Sequence, residues 1–351
     1  MFFRAFVVYA LIISLIRLTT PWVNIAESLH DVSSLLLFFF ILFCTITYAD
    51  YSVFKETIIK VGFVSLSFFL LQFALSLIGI KISGIFPLLP LSNEIPTSEF
   101  IATQLGRERL SGLFQEPAHY SEFMVLVLVY VLFSLKQNSK NIFYALLITI
   151  SILMSSSASG LAMIITIWLS WLLVFKLKSS HHKVGYIICV FLLIGIVVVL
   201  ASQFENIANV AGRFNELSGE EATTHGRSSY IRVVRGYIPF MEGDWEHQLF
   251  GNGLGTLMSY VKSHPQSEFL LVSDFNSNWI NGIQYLLFTT GFFGALLYFS
   301  QIAYFFKKTS PIGRTFVICL ILMFLSSDSF FSVQLLLFAT VNEMYINRYL
   351  G

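Results

Sequence analysis

Charged residues are scarce in this sequence. They make up 12% of the 351 residues, whereas globular proteins average about 25%. Hydrophobic residues make up 56%, phenylalanine alone occurs 37 times, and the mean hydropathy is +0.75. A soluble fold could not hide this much apolar surface from water. The composition therefore excludes a soluble globular enzyme and predicts an integral membrane protein.

Cysteine is also rare. Cys44, Cys189 and Cys319 each fall inside an apolar run and have no metal-ligand neighbour. They are interpreted as small core residues rather than as disulfide partners. The histidines do not show the spacing of a helical zinc site, so we expect neither a metal site nor a cofactor.

Motifs of soluble enzymes are missing as well. The sequence contains no Walker motif, no GxSxG elbow and no kinase signature, which leaves ATP hydrolysis and serine catalysis unsupported. There is no basic inner domain, so a nucleic-acid partner is not expected. The apolar start, residues 1–22, lacks a small-residue cleavage site and is predicted to be a retained first span rather than a signal peptide.

Long apolar runs dominate what is present. A bilayer span needs roughly 20 mostly apolar residues, and the chain predicts an all-α polytopic bundle of about ten spans. These are residues 2–20, 32–49, 61–80, 119–135, 141–156, 159–175, 184–201, 278–304, 315–327 and 330–346. Serine-rich breaks, SSSASG and SSDS, divide two of the pairs. Merging one broken pair would give nine spans, but it would spoil the alternation of charge described next.

The distribution of lysine and arginine orients the bundle. With the N-terminus inside, the short inner segments carry basic residues from Arg4 to Arg348, and the short outer loops carry none, although Arg17 lies near the outer end of span one. Both termini are therefore predicted to be cytoplasmic. The whole chain, 1–351, is predicted to form a single integral membrane domain. Two long loops, 81–118 and 202–277, fall on the outer side, the second of them between spans seven and eight.

The outer loops hold mainly arginine, whereas the inner segments hold mainly lysine. Arginine grips phosphate or carboxylate in a bidentate manner, so the outer face is predicted to hold an anion at the membrane surface. The candidate arginines are Arg107, Arg109, Arg213, Arg227, Arg232 and Arg235.

The stretch RLSGLFQEPAHYSEF, residues 109–123, places ionisable groups at the mouth of span four. Pro117 suits the first turn of a helix, and Glu116, His119 and Glu122 are spaced three apart. Such a carboxylate or imidazole could accept a proton from a sugar hydroxyl. Alternatively, Glu116 caps the helix and His119 anchors it at the membrane interface.

The second outer loop predicts a short amphipathic helix, because Ile231, Val234, Ile238 and Met241 follow helical spacing. Arg232 and Arg235 lie beside this apolar stripe and would hold a lipid diphosphate; an ordinary surface helix is the alternative. The glycine run GNGLG, 251–255, is interpreted as a tight turn rather than a phosphate-binding loop, since no strand precedes it.

Several local motifs, taken in order, resemble the bacterial O-antigen polymerase and ligase superfamily, most of all the Wzy-type polysaccharide polymerases. They are RLSGLFQEPAHYSEF, SSSASGLAM, SSYIR ending at Arg232, LFGNGLG, and NGIQYLLFTTGFFG with Asn281 at the asparagine position. Ligases of the superfamily carry a histidine before that asparagine. Here Ile280 stands there, which favours the polymerase and requires the base to come from elsewhere.

The resemblance implies a metal-independent membrane glycosyltransferase. Its donor and acceptor would be oligosaccharide repeat units on undecaprenyl pyrophosphate, joined at the periplasmic face of the bacterial inner membrane. Catalysis would fall to Glu116 as base, His119 as its alternate, and Arg232. Substrate would be bound by Arg107, Arg109, Arg213, Arg227, Arg235 and Asn281.

Membrane lipids and a chain-length regulator protein are further candidate partners. Two alternatives stay open: a ligase that joins finished glycan to lipid A–core, and a flippase or other transporter. A transporter would be expected to carry charges inside its spans and to show repeat symmetry, and neither is visible in the sequence.

Overall fold

The computed structural model describes residues 2–80, 110–114, 116–133, 139–155, 157–176, 235–267, 280–326 and 330–350. Within these ranges every regular element is a helix. The chain divides into two compact units, one formed by 1–48 with 213–351 and the other by 49–212. Each unit is described by itself.

We number the described helices in chain order. They are α1 Phe2–Arg17, α2 Ile25–Tyr48, α3 Tyr51–Leu77, α4 Pro117–Leu132, α5 Ser139–Met154, α6 Ala158–Trp171, α7 Ile238–Glu242, α8 Trp245–Phe250, α9 Leu257–Ser263, α10 Gly282–Lys308, α11 Pro311–Ser326 and α12 Val333–Leu350. A π-helical turn, Leu172–Lys176, continues α6.

Every predicted span falls on one of these helices except 184–201, which lies outside the described residues. Of the described helices, α2, α3 and α10 are long and apolar enough to cross a membrane, and four shorter ones are apolar. The prediction of an all-α fold is therefore confirmed for the described part of the chain, and the three long apolar helices are candidate membrane spans. The number of spans, the side of the termini and the single-domain organisation stay predictions.

The third helix begins ten residues before the predicted span. Its N-cap is Asp50, whose carboxylate accepts the N–H groups of Ser52 and Val53. Lys60 pairs with Glu56 on this helix at 2.8 Å, so both belong to α3 and not to a loop. Hydropathy alone misses such a polar first turn, because a capped helix can begin outside the apolar run.

In the first unit, aromatic side chains fill the core between α1, α10 and the turn that precedes α12. The fully buried ring of Phe6 meets Tyr298 at 5.0 Å and Phe330 at 5.5 Å, both edge to face. Phe324 of α11 adds an edge-to-face contact with Tyr298 at 5.0 Å. Edge-to-face pairs of this kind add to the stabilisation from burial alone, so this cluster ties the first helix of the chain to its last helices.

Helix α10 is broken at Gly291, where φ is 63° and ψ is −171°. At this residue the backbone leaves the helical conformation, and the helix is kinked. The glycine loop, residues 251–255, lies alongside this break. The N–H of Asn252 donates to the carbonyl of Phe288 at 3.0 Å, and the N–H of Gly253 donates to the carbonyl of Thr289 at 2.8 Å. A broken membrane helix needs such partners, because lipid offers none.

In the second unit, α4 lies at the centre and is buried along most of its length. Short polar bonds join it to α5: the Tyr120 hydroxyl donates to Ser151 at 2.8 Å, and the Ser121 and Ser155 hydroxyls lie 2.6 Å apart. The predicted break at SSSASG separates α5 from α6, where the Ser157 hydroxyl accepts the N–H of Gly160. Small residues and inter-helix hydrogen bonds are typical of packed membrane helices.

Candidate functional site

The structure describes four of the nine residues assigned to the site from the sequence. Arg235 and Asn281 belong to the first unit, and Glu116 and His119 belong to the second. The others lie outside the described residues: Arg107, Arg109, Arg213, Arg227 and Arg232.

Arg235 lies beside the first turn of α10 and is only 4% exposed. The next residue, Gly236, packs so closely on this turn that a Cβ there would lie 2.2 Å from Oε1 of Gln284. Arginine stays protonated at any physiological pH, and the start of a helix carries partial positive charge. A buried cationic residue therefore lies next in sequence to the residue that packs on the start of α10.

The predicted amphipathic helix is not continuous through this region. A turn at Gly236 and Tyr237 separates Arg235 from α7, which is only five residues long and has Pro239 in its first turn. Proline has no N–H to donate, so a helix starts readily there but does not run through. Ile231 and Val234 lie outside the described residues, whereas Met241 is 68% exposed, as expected for the apolar side of an interfacial helix.

Asn281 is the N-cap of α10. Its side-chain oxygen accepts the N–H of Gln284 at 3.0 Å, and the side-chain oxygen of Gln284 accepts the N–H of Asn281 at 3.0 Å. This reciprocal pair is a capping box. The box uses the side-chain oxygen of Asn281 and does not involve its side-chain nitrogen.

The loop 251–255 is a structural turn, as the sequence interpretation favoured. Its glycines Gly251, Gly253 and Gly255 all have positive φ. All five of its N–H groups already donate within the protein, to the carbonyls of His247, Phe288 and Thr289 and to the hydroxyls of Ser14 and Tyr285. The loop therefore has no backbone donor left for a phosphate.

Arg17 holds this loop from α1. Its Nε donates to the carbonyl of Gly251 at 3.0 Å, and its guanidinium pairs with Glu246 at 3.3 Å. The side chain of Arg17 is 11% exposed. From the sequence, Arg17 was only an exception to the charge rule near the predicted outer end of span one. Its long-range partners give it a structural role that spacing could not reveal.

Asp31 is a residue that sequence reasoning missed. It lies in the first turns of α2, and its carboxylate accepts the hydroxyl proton of Tyr285, a residue 254 positions away in the chain. The Tyr285 hydroxyl in turn accepts the N–H of Gly255 at 3.1 Å. No local motif signals this pair; the only sequence signal is a carboxylate placed near the predicted outer end of a span.

The short helices α8 and α9 carry further polar and aromatic contacts. The carboxylate of Asp244 caps α8 by accepting the N–H of His247, and hydrogen bonds from His247 hold the pKa of Asp244 below its usual value. The ring of Tyr260 stacks on that of His264 at 4.1 Å. Burial, followed by the charges of Glu242 and Asp244, raises the pKa of Tyr260.

In the second unit, Glu116 occupies the N-cap position of α4 with an extended backbone, φ −118° and ψ 141°, and its carboxylate makes no capping hydrogen bond with the described first turn. Glu116 and His119 are both partly exposed, whereas Glu122 is 4% exposed. The three residues therefore do not present one common open face, because Glu116 lies outside the helix and Glu122 points into the unit.

The described residues contain no group of three or more His, Cys, Asp or Glu side chains arranged to hold a metal ion. Metal independence stays a prediction.

Comparison with known proteins identifies a family. The sequence model of the WcaD colanic acid polymerase family matches residues 1–344. No curated protein matches the chain, and no solved structure does so. Because the family match covers nearly the whole sequence, this chain belongs to the WcaD colanic acid polymerase family.

Proposed function

We propose that this protein is a polysaccharide polymerase that transfers lipid-linked oligosaccharide repeat units onto one another at the periplasmic face of the bacterial inner membrane. The observation that carries the proposal is the family match over residues 1–344. It favours a polymerase over a ligase or a transporter, and the isoleucine at position 280, where ligases of the related superfamily carry histidine, points in the same direction.

The donor is proposed to be a repeat unit on undecaprenyl pyrophosphate, and the acceptor is a second lipid-linked repeat. The lipid diphosphate is then both activating group and leaving group, so no nucleotide sugar is needed. Positive charge is required where this diphosphate departs. Arg235 is buried and directly precedes Gly236, which packs on the first turn of α10, and this position supports a binding role near that turn.

Loop arginines complete the proposed site. Arg213 and Arg232 would bind the diphosphate together with Arg235, with Arg232 stabilising the charge that develops on departure. Arg227 would bind the same substrate, and Arg107 or Arg109 would hold the acceptor.

The attacking hydroxyl needs a base. The sequence proposes Glu116 for this step and His119 as its alternate. Both side chains are partly exposed, which a proton acceptor for an incoming substrate requires.

The test is reconstitution of the purified protein in vesicles with a lipid-linked repeat unit. A polymerase lengthens the glycan and releases lipid diphosphate, whereas a transporter produces no longer chain and a ligase needs lipid A–core. Arg232→Ala and Arg235→Ala should each lower chain growth at least about 100-fold, the scale of losing one transition-state donor. Lys262→Ala removes an exposed cation of the same predicted loop and should leave growth unchanged. Glycan of full length from both arginine variants would remove these arginines from the mechanism.

A further inference from the structure

The proposed reaction needs a proton acceptor, and the first unit, which holds Arg235 and Asn281, supplies one that the sequence did not identify. We propose that Asp31, rather than Glu116 or His119, is the general base of the transfer and that Tyr285 is its positioning residue. This inference rests on the proposed function and concerns the same site.

Tyr285 links the start of α10 to the first turns of α2. It follows Asn281 by one helical turn on α10 and is 7% exposed. Its oxygen accepts the N–H of Gly255 at 3.1 Å, and its O–H donates to the carboxylate of Asp31. Because the Gly255 N–H occupies the acceptor side of the phenol, the phenolic proton has a fixed direction, toward Asp31. A base held by a third group in this way is the usual arrangement in acid–base catalysis.

The carboxylate of Asp31 is oriented but not enclosed. One oxygen accepts the Tyr285 hydroxyl, and the other lies 3.1 Å from Nδ1 of His30. The Asp31 side chain keeps 25% of its surface exposed, and that of His30 keeps 78%. A sugar hydroxyl could therefore approach the carboxylate from the open side, in exchange for the loosely held imidazole.

Rigid neighbours hold this pair in place. Gly255 packs directly against the first turn of α2: a Cβ on residue 255 would lie 2.3 Å from the carbonyl oxygen of Glu27. The hydroxyl of Ser259 accepts the N–H of Asn24, just before the same helix, at 3.1 Å. Catalytic groups need such support, because a small misplacement of the base slows the reaction strongly.

The same end of the first unit carries the groups that the proposed transfer requires. Arg235 and the capping box of Asn281 lie at the first turn of α10, and Tyr285 leads from that turn to Asp31. In the sequence prediction, the loop before span two and the start of span eight both face outward. An outward-facing base and an outward-facing diphosphate site are therefore expected together.

The proposed step conserves atoms and charge. The acceptor hydroxyl gives its proton to the carboxylate of Asp31, and its oxygen forms a bond to the anomeric carbon of the donor repeat. The bond between that carbon and the diphosphate oxygen breaks, and the electron pair leaves on undecaprenyl pyrophosphate. The protonated Asp31 then returns its proton to water.

The experiment measures chain growth by the reconstituted protein as turnover per folded molecule recovered from size-exclusion chromatography. Asp31→Asn keeps the shape and the acceptor oxygen but cannot take the proton, and it should lower kcat by about 100-fold or more with KM near that of the wild type. Tyr285→Phe should cause a smaller loss of kcat. Formate added to Asp31→Ala should restore part of the turnover, which a purely structural role of Asp31 would not permit.

One carboxamide variant serves as the control, and a second one tests the rival base. Glu27→Gln makes the same chemical change one turn earlier on α2 and should keep wild-type turnover. Glu116→Gln tests the base proposed from the sequence. The inference is overturned if Asp31→Asn retains turnover within a few-fold of wild type, if formate does not help Asp31→Ala, or if Glu27→Gln or Glu116→Gln shows the large loss instead. If the wild-type protein itself forms no longer glycan, the proposed function fails, and that result is distinct from failure of Asp31 alone.

Discussion

Replacing Gly291 with alanine should destabilise the protein more than the same replacement at Gly79 or Gly253. Gly291 breaks α10 with φ 63° and ψ −171°. A Cβ at this position would lie 2.4 Å from the carbonyl oxygen of Leu249 and 2.6 Å from the amide nitrogen of Gly251. Both contacts are with backbone, so neither neighbour can rotate away, and the glycine loop must move instead.

The size of the effect can be worked out from this geometry. A non-glycine residue in such a conformation costs about 1–3 kcal/mol. Moving the loop also weakens the hydrogen bonds from Asn252 to Phe288 and from Gly253 to Thr289, each with a net contribution of about 1 kcal/mol. We expect the free energy of unfolding to fall by about 3–5 kcal/mol, a large part of the roughly 5–15 kcal/mol of a typical protein.

The two other alanine variants separate the causes. Gly79 also has positive φ, 81°, but a Cβ there would meet no atom within 4 Å, so Gly79→Ala reports the backbone strain alone, about 1–2 kcal/mol. In Gly253→Ala the new Cβ would also lie 3.2 Å from atoms of Arg17 and Ser14. Its loss of unfolding free energy should therefore fall between those of Gly79→Ala and Gly291→Ala. The assay is the apparent Tm of each variant in one detergent by tryptophan fluorescence. If Gly291→Ala and Gly79→Ala melt together, the packing of the loop against α10 is not what stabilises this region.

Two other substitutions test the remaining long-range contacts. A lysine at position 17 has a single charged nitrogen and cannot keep both the hydrogen bond to Gly251 and the ion pair with Glu246, so we expect Arg17→Lys to lower the free energy of unfolding by about 1–2 kcal/mol. Glu246→Gln should change the free energy of unfolding by less than about 1 kcal/mol, because the side chain of Glu246 is 55% exposed. Equal effects of the two substitutions would argue against the role of the Gly251 bond. In the second unit, Gly160→Val should reduce the yield of monodisperse protein. Even a Cβ at Gly160 would lie 2.8 Å from the Cβ of Ser121, at a place where small residues allow two membrane helices to pack closely. Ser121→Ala, which only removes a hydroxyl, is its milder control, and unchanged yield for Gly160→Val would contradict the close packing of α4 and α6.

The sequence predicted the helices well because membrane helices are encoded locally. Each apolar run is long enough to specify a helix by itself, and breaks such as SSSASG contain the residues that end and restart one. The start of α3 was placed too late for the same reason, since the capping carboxylate of Asp50 is polar and lies outside the apolar run. Pro117 predicted that Glu116 lies at or just before the N-cap, and Glu116 is the N-cap residue, but whether its carboxylate would bond to the turn was not encoded in that spacing.

Contacts between distant segments were beyond the sequence. A hydrophobic period or a sequence motif predicts contacts only between residues within a few helical turns of each other. Tyr285 and Asp31 are 254 residues apart, and Arg17 and Gly251 are 234 residues apart. The glycine loop illustrates the difference: its glycines predicted a turn, but only the fold showed that this turn pairs with the broken backbone of α10.

By itself, then, the amino-acid order determined that this chain is helical, apolar and built to reside in a membrane, because hydropathy and capping act within single segments. The tertiary structure alone decided which polar groups face each other: Arg17 on the glycine loop, Arg235 beside the head of α10, and Tyr285 on Asp31. The physical reason is that buried polar groups must find partners where lipid provides none, and those partners come from wherever the packing of the helices brings them.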